Sequence, residues 1–157
     1  MIASIMRPTL RRWSMAVALA IIAAPAIACA ALGDDATSVD ADGAHMRGAI
    51  RITTGARYAV HEIAAASGVV VREYVAPNGK VFALTWSGPW PPDLRQLLGS
   101  YFERFSRAAA APRTGHHPLM VHDEDLVVQF GGRLRAFVGT AYLANLMPAG
   151  VGTGELR

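Results

Sequence analysis

The sequence predicts one α+β domain: an antiparallel sheet of about five strands, with one main amphipathic helix packed on one face. The strands read as a three-strand meander, then, after the helix, a hairpin. Three observations carry this. Three runs rich in β-branched and aromatic residues succeed one another from Tyr58 to Ser87, with turn residues between them. An apolar stripe of helical period runs from Leu94 to Phe105. Two more strand-like runs flank Gly131-Gly132.

Residues 1–30 read as a secretory signal peptide rather than part of the fold. Arg7, Arg11 and Arg12 form a basic region, Met15 to Ala28 an apolar one, and small residues stand at Ala26, Ala28, Ala30 and Ala31. The apolar run is shorter than the roughly 20 residues a bilayer requires, so no transmembrane helix is expected in the mature chain. Cleavage after Ala30 fits the small-x-small rule. Cleavage after Ala28 fits it too, and would leave Cys29 first and open to lipidation, although a lipoprotein box usually has a larger aliphatic residue where Ala26 stands. Arg11-Arg12 also raises twin-arginine export, but Ser14 falls where an apolar residue is wanted. The expected location is the periplasm or the medium, with an outer-membrane lipoprotein as the lesser reading.

Processing changes the charge. The whole chain carries +3; without Arg7, Arg11 and Arg12, twelve basic residues face twelve acidic ones. No basic patch for nucleic acid remains, since Arg133 and Arg135 are too few. Cys29 is the sole cysteine, so cleavage after Ala30 leaves no disulfide, thiol nucleophile or cysteine ligand. The chain beyond residue 30 is long enough for one domain and too short for two.

Residues 31–56 are polar and alanine-rich, with a capping box at Thr37 and Asp40 before a short helix through about Arg47. Residues 57–151 hold the domain and 152–157 a tail. Tyr58 to Ala64 alternates weakly, and Val69 to Val75 is strongly strand-like. Lys80 to Ser87 alternates, sending Phe82, Leu84 and Trp86 one way and Val81, Ala83 and Thr85 the other. Ser67-Gly68 and Pro77-Asn78-Gly79 mark the turns, and Asn-Gly suits a tight hairpin. Asp93 can cap the helix, with Gln96 completing the box. Leu94, Leu97, Leu98, Tyr101, Phe102 and Phe105 form the face expected to lie on the sheet against Phe82, Leu84 and Trp86. Leu126 to Phe130 and Leu134 to Tyr142 make the second hairpin, and the chain from Asn145 is expected to end in coil.

The stretches "VVREYVAPNGKVFALTWSGPWPPDLRQLLGSYF", "DLVVQFGGRLRAFVGTAYL" and "MPAGV" resemble a family of short exported proteins of Gram-negative bacteria, known as domain of unknown function 2844. The likeness runs from about Tyr58 to Val151. Ala31-Leu32-Gly33 also resembles the family's mature start, which favours cleavage after Ala30. The resemblance implies export and a single domain, and brings no catalytic residue with it.

Candidate chemistry is sparse. His116, His117, His122, Asp123, Glu124 and Asp125 crowd together, and imidazole with carboxylate suits a divalent transition metal. Their spacing matches no established zinc pattern, and a solvated polar loop explains the same residues. Ser100 sits in no nucleophile elbow. The pair Asp123 and Asp125 would need the right separation to act as glycosidase carboxylates. His61 has no marked partner. Arg72 and Glu73 interrupt an apolar strand, and as strand neighbours each is expected to meet solvent or a cross-strand partner. Trp90, between Pro89 and Pro91, is either a lid over the core that makes the turn a stiff joint, or a rigid platform for a partner. The Leu94–Phe105 stripe reads as core rather than a groove.

No nucleophile–base pair is visible, and no cofactor is implied. The expected function is non-enzymatic binding in the envelope, with an envelope protein as partner. The alternative is a small envelope enzyme or metal-binding protein using the His116–Asp125 loop.

Overall fold

The computed structural model describes residues 32–111 and 118–157. Its centre is one antiparallel sheet of seven strands, not five. They are β1 (Gly48–Thr54), β2 (Ala59–Ala65), β3 (Val70–Val75), β4 (Val81–Gly88), β5 (Leu119–Asp123), β6 (Leu126–Arg133) and β7 (Ala136–Leu143). Their order is β1-β2-β3-β4-β7-β6-β5. Two meanders thus meet where β4 pairs with β7.

The two unpredicted strands lie at the two edges. Ile50, Ile52, Thr53 and Thr54 suit a strand, but β1 opens on Gly48, is followed by Gly55 and is mostly exposed, so it lacks the alternation of a half-buried strand. β5 is five residues long and begins just after the described chain resumes. Residues 32–56 therefore do more than precede the sheet. They supply β1, a 3-10 turn (Ala36–Ser38) and α1 (Val39–His45). Thr37 lies inside that turn rather than in front of it as a cap.

The predicted helix is present in three contiguous parts: α2 (Leu94–Leu98), a 3-10 turn (Gly99–Tyr101) and α3 (Phe102–Ala109). Gly99 breaks it, with φ 49°, a left-handed value that glycine adopts without a Cβ penalty. The break re-aims the apolar stripe without interrupting it: Leu97, Leu98 and Phe105 stay buried. They join Val71, Leu84, Trp86, Val128 and Leu143 in the core on one face of the sheet, here the helix face.

Phe82 is not in that core. Tyr74 pairs with Ala83 and Val75 with Val81, which leaves Phe82 as the extra residue of a β-bulge. The bulge shifts the alternation. Val81 joins Leu84 and Trp86 on the helix face, while Phe82 and Ala83 face the other side with Tyr74.

That second face is covered by the chain after β7, which is packed rather than coil. A 3-10 turn (Ala144–Leu146) leads to Val151, a second (Thr153–Glu155) leads to Leu156, and both apolar side chains are buried against Tyr74, Phe82 and Ala83. Arg57 ties the segment down through Glu155 at 2.7 Å and through the Gly150 carbonyl. Tyr74 Oη donates to Arg157 O at 2.8 Å and accepts from Arg157 N at 2.9 Å. Burying a side chain the size of Phe82 stabilises by roughly 1.5–3 kcal/mol, so the second core is a substantial part of the fold.

The last hairpin also differs from expectation. Gly131 and Gly132 lie within β6, and the turn falls at Leu134-Arg135, where Arg135 has φ 63°. Across the sheet Gly139 pairs with Trp86, whose indole occupies the space a Cβ would need. Gly139→Ala should therefore cost about 1–3 kcal/mol by overpacking. Urea unfolding measures this, and an unchanged midpoint would contradict the packing described.

Candidate functional site

Trp90 stands in the joint between β4 and α2. Asp93 caps the helix as expected, accepting from Arg95 N at 2.9 Å and Gln96 N at 3.3 Å. Gln96 does not close the box with its side chain, which instead reaches Asp42 of α1. Trp90 does not fold back as a lid; it is 53% exposed. It borders a hollow of about 270 Å³ together with Met46, Ala65, Val69, Pro92 and Leu97. These come from the residue after α1, the end of β2 and the turn beyond it, the joint before α2, and α2 itself. The wall is mostly apolar, and the proline run restrains the Trp90 backbone.

Beside this hollow lies a buried acid pair. Glu73 of β3 and Asp42 of α1 are both fully inaccessible. The expectation that Glu73 meets solvent or a cross-strand partner is therefore corrected: it meets Asp42 of α1. Its side chain points to the helix face, beneath Asp42 of α1. Burial first, and then the neighbouring Asp42, together push its carboxyl up to about 9. Glu73 is thus a neutral acid at pH 7, which is how a carboxyl tolerates such a site. Arg72, pointing the other way, fits the expected pattern and pairs with Glu62 in register at 2.8 Å. His61 lies opposite Glu73 on β2, half-buried, with its pKa lowered by burial and raised in part by Asp40.

The histidine and carboxylate cluster is only partly described: His116 and His117 lie outside the described residues. His122 is exposed on β5. Asp123, next to it on the strand, points to the opposite face and bonds Arg104 of α3 at 2.9 Å. Arg104 also pairs with Asp125 at 3.0 Å and Glu124 at 3.3 Å. These carboxylates thus pin α3 to the β5–β6 turn. Among the described residues, no group of three His, Cys, Asp or Glu is placed to hold a metal ion. Cys29 lies outside the described residues. Ser100 is exposed in the 3-10 turn.

A second hollow, of about 470 Å³, opens on the sheet face that the C-terminal segment covers. Arg72, Thr85, Ser87, Gln129, Thr140 and Arg157 line it. Sequence reasoning missed it, because these residues come from several strands and the chain's end and share no motif. Among the described residues, no helix is long and apolar enough to cross a membrane.

The acid pair makes stability depend on pH. The folded state keeps the Glu73 proton to about pH 9, whereas the unfolded chain releases it near 4.5. This contribution is fully present below the unfolded value and is lost as pH rises to about 9, at up to about 1.4 kcal/mol per pH unit. His61 has the opposite sense and acts below its ordinary value of 6.5, so the Glu73 effect is read cleanly from pH 7 to 9. Glu73→Gln should flatten that slope and gain on the parent as pH rises. Parallel melting curves for the two proteins across this range would contradict the burial of an acid here.

No curated protein and no solved structure matches the chain. The family model described as "Protein of unknown function (DUF2844)" matches residues 28–156, beyond the 58–151 span of the sequence resemblance and including β1, α1 and the C-terminal segment. The chain belongs to the DUF2844 family.

Proposed function

We propose that this chain is an exported, non-enzymatic binding protein of the bacterial envelope. Its partner is another envelope protein that inserts an apolar side chain into the hollow beside Trp90. One observation carries the reading: a half-exposed tryptophan held between prolines on the rim of a preformed apolar hollow. An indole whose backbone is already fixed loses little freedom on binding. Tryptophan is also enriched at binding hot spots, which cluster in well-packed, desolvated pockets. Export rests on the charge and hydropathy pattern of residues 1–30.

The test uses a photo-crosslinking amino acid at Ser67, which is exposed on the hollow's rim. In the native host it should give a discrete adduct in the envelope fraction, and the same probe at Asn78, exposed in another turn, should give none. Trp90→Ala should abolish the adduct while moving the melting temperature by no more than about 2 °C, as expected for an exposed site. An adduct that survives Trp90→Ala would contradict the proposal. So would a large fall in melting temperature, which would make Trp90 structural.

A further inference from the structure

The two edges of the sheet are unlike. β5 is short, preceded by Pro118, packed against α3 and bound to Arg104 through Asp123. These are the usual means of blunting an edge. β1 packs against α1 through Ile50, but no proline immediately precedes it and, among the described residues, none of its side chains ties its outer side to a neighbouring element. It runs seven residues without proline or bulge, and it pairs in unbroken register with β2 on one side only. Five of its seven residues are exposed, and Arg51 is its one charge. Among the described residues nothing pairs with its outer side, so alternate backbone N–H and C=O groups there lack strand partners. Ile52 is 59% exposed on the helix face, next to Ile50, which packs against Gly43 of α1.

We propose that β1 is a homodimer edge, on which a second copy of this chain adds its own β1 antiparallel about a two-fold axis at Ile52. Self-pairing through one strand is isologous, so one sequence must complement itself. Centring on Ile52 does this: Ile52 meets Ile52, Ile50 meets Thr54, and Arg51 meets Thr53. Centring on Arg51 would place two guanidinium groups directly opposite each other, which is unfavourable. A one-residue slip would turn one copy's helix face over relative to the other. In the Ile52 register both helix layers lie on the same side. The seven strands of each copy form one continuous sheet, and the exposed isoleucines cover each other.

The test is register-specific disulfide formation with sedimentation, using the full-length sequence with Cys29→Ser. Opposed residues in an antiparallel pair have Cα atoms about 4.5–5.5 Å apart, within disulfide reach. Ile52→Cys should yield a covalent dimer on mild oxidation. Arg51→Cys and Ile50→Cys should not do so alone, whereas Ile50→Cys mixed with Thr54→Cys should. Without added cysteine, sedimentation should give twice the monomer mass. Ile52→Lys should give the monomer mass while staying folded, with a melting temperature that no longer depends on protein concentration. A monomer at every soluble concentration would overturn the proposal. Disulfide formation at Ile52→Cys no faster than at the exposed loop residue Ala66 would overturn it as well. A dimer that survives Ile52→Lys would place the interface elsewhere and overturn it too.

Discussion

From Val81 to Trp86 every residue of β4 is buried, and neighbours along a strand point to opposite faces. A strand of that kind needs cover on both sides, and the rest of the molecule is arranged to supply it. On one face α2 and α3 bring Leu97, Leu98 and Phe105. On the other, where no helix lies among the described residues, the chain after β7 brings Val151 and Leu156. The bulge at Phe82 divides the large side chains of β4 between the two cores. Gly139 leaves room for the Trp86 ring.

The candidate site is a consequence of how the helix face is closed. α1 is held down where Gln96 Nε2 donates to Asp42 and where Asp42 meets Glu73. The same contact brings Met46, just after α1, towards Leu97 and Trp90 across the hollow. A neutral acid under α1 thus helps to shape a surface whose wall is mostly apolar, with Asp93 engaged in capping α2. α1 also covers Ile50 but leaves Ile52 bare. Two of the exposed apolar features, the Trp90 rim and the β1 edge, flank this one small helix.

Features written in local periodicity were legible in the sequence. The helical stripe from Leu94 to Phe105, the Asp93 cap, the turn at Pro77-Asn78-Gly79 and three central strands can all be read from spacing. Features decided by distant partners were not. Nothing near Phe82 marks a bulge, because the pairing with Tyr74 and Val75 creates it. Glu73 looks like any polar strand residue until α1, some thirty residues earlier, is laid over it. Val151 and Leu156 are isolated apolar residues in a polar tail, and only their packing shows that they belong to a core. Trp90 was legible as a rigid aromatic, whereas its hollow draws on Met46, Ala65 and Val69 from separate elements.

The two-sided burial of β4 is tested most directly by ending the chain at Val151 and measuring its urea unfolding against the full chain. Removing residues 152–157 takes away Leu156 and the contacts of Glu155 and Arg157 with Arg57 and Tyr74. The account predicts a loss of about 2–5 kcal/mol, the range for deleting one buried leucine. It also predicts faster amide exchange along β4, the strand shared by both cores. A shortened chain with the same midpoint and equally slow exchange in β4 would contradict it.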